Sequence, residues 1–529
     1  QESKPRLGSI KSNIGHLKSA AGAAAMLKGA LSIYHKTFYT TVNVDSPRTD
    51  IPLDKIQIQR QTESWESDKI RRVGVSAFGF GGTNFHVVLE EHQPTIIKHT
   101  KERILPLPQE LTILSGSSQA TLVQHLQTLL TSGDTHFSQS DPIRVVFSSA
   151  DDSEQTTQCE RLLESIEKDR NLDQLSGRGI FYTDFRKKDF RKSPHAFLFT
   201  GQGSQYLNMG MELAERFEIV QQTFDEAETI FQQEVGVSLR ALIKGDPNLS
   251  PEDREAQLKD TRIAQPATLA MDIAIARLMG SFGVEADMVA GHSLGEYAAC
   301  VVAGIMTFAE AIQAVSARGR EMAAIVLEDT GKMASIAAGM DKVQPLLDTI
   351  EEYVIAANKN CPSQTVIAGS SRGVEAMIAR CKVEKIRCQE LPVSHAFHSK
   401  IVAPAGIPLK NFLSALELKS PHLPISTNVT GDWYPSHVPD IVEILSQQIA
   451  SPVEWIKQIN GLYAQGCKVF LECGPKRALT GLTSTTLKGL EHIAIHTNHP
   501  RRGEALSFID SLGQLLSLGL INSTASAPT

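Results

Sequence analysis

Gly291-His292-Ser293-Leu294-Gly295-Glu296 decides how this chain is read. The stretch follows a short apolar run, Asp287-Met288-Val289-Ala290, and precedes a small-residue helical run over residues 297–304. Strand, tight turn, helix is the setting in which G-x-S-x-G carries chemistry, because the turn strains the serine backbone and lifts its hydroxyl out of the sheet. Glycines flank the serine because a Cβ would block the close approach of strand and helix. The expectation is a nucleophilic Ser293 on an α/β scaffold.

Working outward, the apolar run Ala196-Phe197-Leu198-Phe199 reads as a buried strand and leads into Gly201-Gln202-Gly203-Ser204-Gln205. A tetrahedral intermediate needs donors aimed at its oxyanion. The N–H of Leu294, next after the serine, is one candidate, and the N–H of Gln202 is the other. Arg318 follows in Ala317-Arg318-Gly319-Arg320; spacing alone makes it a solvated helical arginine. Pro392-Val393-Ser394-His395-Ala396-Phe397-His398-Ser399 then offers two histidines. No third ligand stands at suitable spacing, so no metal is expected. One histidine serving Ser293 as general base is the more economical reading. Between residues 331 and 393 the pattern is strand, helix, strand, strand, helix, strand, a ferredoxin-like insertion that would sit over the elbow and leave the site in a cleft between two subdomains.

Towards the N-terminus, residues 7–15 read as a strand, followed by a glycine turn, His16 and a helix over residues 20–35. Lys11 and His16, on spacing alone, are a surface pair. A second glycine-rich loop, Phe78-Gly79-Phe80-Gly81-Gly82-Thr83-Asn84, separates strands over 72–76 and 85–89. It is no phosphate cradle, since no helix follows and no Lys-Ser/Thr closes it. Residues 94–192 alternate strands (111–115, 143–149, 179–182) with helices (120–130, 160–168), and no His, Cys and carboxylate groups converge there. An apolar helical run over 505–518 precedes a polar tail, 522–529.

At 529 residues the chain is too long for one core. An apolar fraction of 41% and a charged fraction of 21% are those of a soluble globular protein. The net charge of −7, with both signs spread along the chain, argues against nucleic acid and against a membrane-surface stripe. The Ala-rich run over residues 19–31 is too short to span a bilayer and contains Lys28. Seven cysteines without a C-x-x-C pair point to a reducing, cytoplasmic setting. The sequence opens in mid-motif, so a fragment of a longer polypeptide is expected.

Two motif sets carry family resemblances. Lys11-Ser12-Asn13-Ile14-Gly15-His16 with Gly79-Phe80-Gly81-Gly82-Thr83-Asn84 resembles the C-terminal end of a thiolase-like β-ketoacyl synthase of the polyketide synthase type. The resemblance implies that His16 is the second of two histidines working with a cysteine nucleophile and that Lys11 is the accompanying lysine. The cysteine and the first histidine belong to segments upstream of Gln1. Residues 1–93 are therefore expected to be a ketosynthase remnant without condensing activity, since no thiolate is available to carry an acyl group. Residues 94–192 resemble the small α/β linker between ketosynthase and acyltransferase.

The second set is Gly201-Gln202-Gly203-Ser204-Gln205, the Ser293 elbow, Arg318 and His395-Ala396-Phe397-His398. Over residues 193–500 it resembles the malonyl-CoA:acyl-carrier-protein transacylases. That implies an α/β-hydrolase-like large subdomain with a ferredoxin-like small one, and leaves residues 501–529 as a following helix and tail. Position by position it implies Ser293 as nucleophile, His398 as base, Arg318 as partner of the free carboxylate, and Gln202 and Leu294 as oxyanion amides. Thr427-Asn428-Val429-Thr430-Gly431, Gln448, Pro452, Trp455 and Glu472-Cys473-Gly474-Pro475 fit as well. The Gln448 main-chain carbonyl would orient the base, making a Ser–His dyad. Phe397 stands where methylmalonyl-selective relatives carry a small serine, and its ring would crowd a C2 methyl; Leu294, in place of Gln after the nucleophile, points the same way.

The implied activity is ping-pong transfer of malonyl from CoA to the phosphopantetheine thiol of an acyl carrier protein, with no bound metal or redox cofactor. The implied partners are malonyl-CoA, the carrier protein and the remainder of a synthase chain, with neither nucleic acid nor membrane. Two other readings stay open: a serine hydrolase or thioesterase, because acidic residues do lie between Ser293 and His398, and a non-catalytic docking fragment.

Overall fold

The computed structural model describes residues 4–48, 51–67, 70–79, 81–91 and 105–521. Phe80 of the glycine-rich loop, the start of the bridge at 94–104 and the tail 522–529 lie outside the described residues. The chain divides into two compact units, with the boundary between Ile97 and Lys98.

In the first unit the expected hairpin is present. Strands Arg72–Phe78 and Asn84–Glu90 pair antiparallel, Phe78 opposite Asn84. Helix Ala21–Tyr34 lies against it so closely that a Cβ added at Gly29 would fall 3.1 Å from Val73 and 3.2 Å from Leu89. The expected strand over residues 7–15 is corrected. Only Arg6–Leu7 is extended, pairing with Gln57–Ile58, and Lys11–Ile14 is a helical turn. The serines explain it: the Lys11 N–H donates to Ser9 Oγ and the Ser12 hydroxyl to the Ser9 carbonyl. Such local bonds compete with a ladder.

The second unit opens with an antiparallel sheet of Leu111–Gly116, Ile143–Ser148 and Ile180–Asp184, with Ile143–Ser148 central. Helices Gln119–Ser132 and Asp152–Glu167 start at side-chain caps, Ser118 accepting from the Thr121 N–H and Asp151 from the Glu154 N–H. Strand alternation assigns the two faces. Val145 and Phe147 pack with Leu122, Leu126 and Leu162 under these helices. Val146 and Phe181 join the large core together with Phe508 and Leu512 of helix Glu504–Ser517. Arg144 Nη1 donates to the Leu516 carbonyl at 2.8 Å across that contact.

The large core surrounds a five-stranded parallel sheet in the order Ile425–Ser426, Met288–Gly291, His195–Phe199, Val469–Cys473, Ile493–His496. The inner strands are near-continuous apolar runs because both faces of a parallel sheet are covered. Helices Glu218–Val235, Thr261–Ser281 and Phe308–Ala323 pack on one another in this layer. His195–Phe199 and Met288–Gly291 are neighbours in register, so their carboxyl ends deliver the glycine loop and the serine elbow to the same edge.

The insertion has the expected order. Strands Lys332–Ile336, Val354–Cys361, Gln364–Gly369 and Cys388–Glu390 form one antiparallel sheet, with Gln364–Gly369 and Lys332–Ile336 in the middle. Helices Met340–Leu347 and Ser371–Val383 cover one face through Val343, Val374 and Met377. Among the described residues no helix is long and apolar enough to cross a membrane.

Candidate active site

Ser293 sits between the strand Met288–Gly291 and the helix Gly295–Val302 with φ of 53°, a left-handed conformation that costs a non-glycine residue energy. The turn is too tight for side chains on either flank. A Cβ at Gly291 would lie 2.0 Å from the Gly295 backbone, and one at Gly295 would lie 2.2 Å from the Phe199 carbonyl oxygen.

Ser293 Oγ lies 2.7 Å from His398 Nε2. The other ring nitrogen, Nδ1, faces two main-chain carbonyls, Gln448 O at 3.1 Å and Ser451 O at 3.0 Å. Carbonyls only accept, so Nδ1 carries the proton and Nε2 is left to accept from the serine hydroxyl. His398 also has positive φ, 57°. Burial first, then the charge of Arg318 and the nearby His292, push its pKa down to about 3. The imidazole is therefore neutral and able to take a proton. His395 does not share this position: its ring faces Ser394 Oγ and the Ile325 carbonyl.

Arg318, on helix Phe308–Ala323, is 2% exposed, which corrects the solvated reading. Nη1 donates to Gln265 Oε1 at 2.8 Å and Nη2 to Gln448 Oε1 at 3.2 Å. Nε has no partner among the described residues. The Tyr297 ring lies 6.0 Å away. Neutral amides hold this guanidinium by hydrogen bonds, and the buried Glu296 carboxylate acts on it through space. A buried guanidinium bonded only to neutral amides keeps donor capacity for an anion.

The Gln202 and Leu294 amides donate to no other group among the described residues. Gly201 approaches the elbow so closely that a Cβ there would sit 2.6 Å from the His292 carbonyl oxygen. Gln205 Oε1 accepts from the Gly203 N–H and Lys476 Nζ donates to the Gly203 carbonyl, which fixes the loop from both sides. Ser293, Arg318, Gln202, Phe397 and His398 line one cleft of about 1480 Å³ between the parallel sheet and the insertion.

The comparisons with known proteins agree with this geometry. Residues 196–513 match the family described as acyl transferase domain. The chain belongs to that family. In this acyltransferase, residues 47–170 also match the ketoacyl-synthetase C-terminal extension and residues 1–45 the beta-ketoacyl synthase C-terminal domain. A PKS-NRPS hybrid synthetase of Aspergillus candidus is 30% identical over 96% of this chain, and a polyunsaturated fatty acid synthase from Thraustochytrium sp. is 30% identical over 98%. The chain spans 20% of the length of each of these two relatives. Among solved structures, the malonyl CoA-acyl carrier protein transacylase of Coxiella burnetii is 30% identical, covers 63% of this chain and 98% of its own, with a TM-score of 0.54. The acyltransferase domain from the second module of the salinomycin polyketide synthase is 28% identical, covers 79% and 94%, with a TM-score of 0.61.

The acyltransferase brings Ser293, His398, Arg318, Gln448, Phe397, Gln202 and Leu294 to one place. Lys11 and His16 belong to the other unit, are exposed, and share no hydrogen bond; His16 Nδ1 accepts from the Lys18 N–H. Gln448 does more than its main-chain carbonyl suggested, since its side chain bridges Arg318 and the Ser293 carbonyl. Gln265 is a new member of the site, and nothing in the sequence of helix Thr261–Ser281 marks it. His292, within the elbow motif, has a partner of its own: its Nε2 bonds Asn360 Oδ1 of the insertion at 2.8 Å, tying the two subdomains together at the site.

Proposed function

We propose that this acyltransferase moves a malonyl unit from CoA to the phosphopantetheine thiol of an acyl carrier protein through an ester on Ser293. His398 Nε2 takes the hydroxyl proton as Ser293 Oγ attacks the thioester carbonyl. The oxyanion is met by the Leu294 and Gln202 N–H groups. Collapse breaks the C–S bond, and the departing sulfur receives the proton from His398. The carrier thiol then attacks the ester, with His398 as base again, and Ser293 recovers its proton. Arg318 holds the distal carboxylate throughout. The larger synthase that would supply the carrier protein, and a cytoplasmic setting suited to seven free cysteines, complete the reading.

The observation that carries it is the buried Arg318, hydrogen-bonded only to neutral amides, beside the Ser293–His398 pair. A general esterase has no use for it, and the carbonyls at His398 Nδ1 stand where a hydrolase triad has its acid. The similarity to malonyl transacylases supports the same substrate. The test is intact mass after brief incubation with malonyl-CoA. A malonyl adduct is expected on the wild type and none on Ser293→Ala. Arg318→Ala is expected to lose about 100-fold or more in kcat/KM, because an unpaired carboxylate would be left buried. Steady CoA release with no adduct would favour a hydrolase.

Phe397 is partly buried against the core and lines the cleft next to His398. Malonyl-CoA is expected to be preferred over methylmalonyl-CoA. Phe397→Ser is expected to shift the kcat/KM ratio of the two by ~10-fold or more towards methylmalonyl, the scale of one methyl in an apolar pocket. Equal kcat/KM for both substrates in the wild type would sink this specificity.

A further inference from the structure

The strained serine needs something to hold it, and the structure supplies a bracket outside the dyad. Ser293 N–H donates to Asn428 Oδ1 at 2.8 Å. Asn428 Nδ2 donates to the Gly291 carbonyl at 2.8 Å and to Glu296 Oε2 at 2.6 Å. The Asn428 main-chain N–H and the Tyr434 hydroxyl both donate to Glu296 Oε1, at 2.9 and 2.8 Å. Glu296 is fully buried and Asn428 is 1% exposed.

The bracket has no spare capacity. The Asn428 oxygen serves Ser293, both of its amide protons are used, and both Glu296 oxygens accept. Nothing in it is free to touch substrate. The amide orientation is forced as well, because a flipped Asn428 would aim its NH₂ at the Ser293 N–H. Glu296 therefore fixes Asn428, and Asn428 ties the two ends of the elbow, Gly291 and Ser293, into one rigid piece.

We infer that Glu296 and Asn428 are positioning residues for acyl transfer: the carboxylate locks the amide, and the amide holds Ser293 in its left-handed conformation with Oγ on His398. The inference rests on the Ser293 ester proposed above. Its expected signature is a change in kcat that exceeds any change in KM: neither side chain lines the cleft, although Glu296 also interacts with Gln448 and, through space, with Arg318. A polar group buried without its partner would also destabilise the fold, so the kinetic signature, rather than stability, is the deciding readout.

The test uses the full chain. Glu296→Gln puts an NH₂ donor where an acceptor is needed, and single-turnover acylation by malonyl-CoA is expected to fall about 100-fold, with KM within about twofold, the scale of a misaimed reacting group. Asn428→Asp keeps an acceptor for Ser293 but repels Glu296, and is expected to fall similarly. The double variant Glu296→Gln with Asn428→Asp reverses donor and acceptor in the bond between the two side chains but leaves the Gly291 carbonyl without its donor, so it is expected to recover about tenfold over either single variant while staying below wild type. Reaction of Ser293 with a sulfonyl fluoride, which has no malonyl carboxylate, should follow the same order. Circular dichroism and thermal unfolding establish that each variant is folded. If Glu296→Gln does not fold, the double variant and Asn428→Asp still compare the same bonds. A folded Glu296→Gln with wild-type acylation, a change confined to KM, or a double variant no faster than the singles overturns the inference. Absence of an adduct on the wild type itself would instead refute the Ser293 ester.

Discussion

Replacing His398 by alanine is expected to slow acylation of Ser293 by ~10⁴- to 10⁶-fold, about as much as losing Ser293 itself, because residues that act as one unit are not additive. The reason is geometric. Among the described residues Oγ has a single basic partner, Nε2 at 2.7 Å, and the tautomer that makes Nε2 basic is set by the Gln448 and Ser451 carbonyls. Rapid-quench detection of the acyl-enzyme, for wild type, Ser293→Ala, His398→Ala and the double variant, checks it. A double variant much slower than either single would show two independent contributions.

The same histidine carries a stability signature of known sign. Its folded pKa is depressed to about 3, burial being the main cause, whereas an unperturbed histidine titrates near ~6.5. Between those values the unfolded chain binds a proton that the folded chain does not. Stability from this group is complete above pH ~6.5 and is lost as pH falls towards 3. His398→Ala is expected to flatten the unfolding free energy against pH between pH 6 and 4 by about one proton, or ~1.4 kcal/mol per pH unit. Occupation of Arg318 by a carboxylate would weaken one of the three causes of the depression, making the base stronger when substrate is bound.

What the sequence disclosed was whatever depends on neighbours in the chain. The elbow was legible because Gly291 and Gly295 answer a steric demand within five residues, and the insertion was legible because its strands and helices alternate with distinct periods. Arg318 was harder. Its spacing from Ser293 says nothing about which face of helix Phe308–Ala323 it occupies, and its burial depends on Gln265 and Gln448 arriving from distant segments. The Asn428 bracket was hidden for the same reason: its partners lie more than a hundred positions apart. The bridge read only as alternating strands and helices of a small α/β linker. Its second face is closed by helix Glu504–Ser517, more than 300 positions on. Nothing local in either segment showed that each covers the other.

Gly295→Ala is expected to be among the most damaging single methyls in the large core. The new Cβ would lie 2.2 Å from the Phe199 carbonyl oxygen, 2.5 Å from its carbon and 2.6 Å from the Thr200 carbonyl oxygen. None of these is the end of a flexible side chain. They belong to the central strand of the parallel sheet and to the residue that starts the Gln202 loop, so helix Gly295–Val302 must lift off the sheet or the strand must bow. Either movement separates Leu294 N–H from Gln202 N–H and draws Ser293 from His398. Overpacking of this kind costs typically 1–3 kcal/mol where side chains can repack; against fixed backbone the loss is expected to exceed ~4 kcal/mol. Gly280→Ala is the control. It lies in helix Thr261–Ser281, an added Cβ meets nothing within 4 Å, and it is expected to stabilise by about 0.5–1 kcal/mol. Denaturant unfolding of both variants, with acylation measured on whatever folds, separates the two outcomes. A Gly295→Ala protein of wild-type stability would mean that strand and helix do not meet at the elbow, and the proposed placing of the Leu294 and Gln202 N–H groups for an oxyanion would go with it.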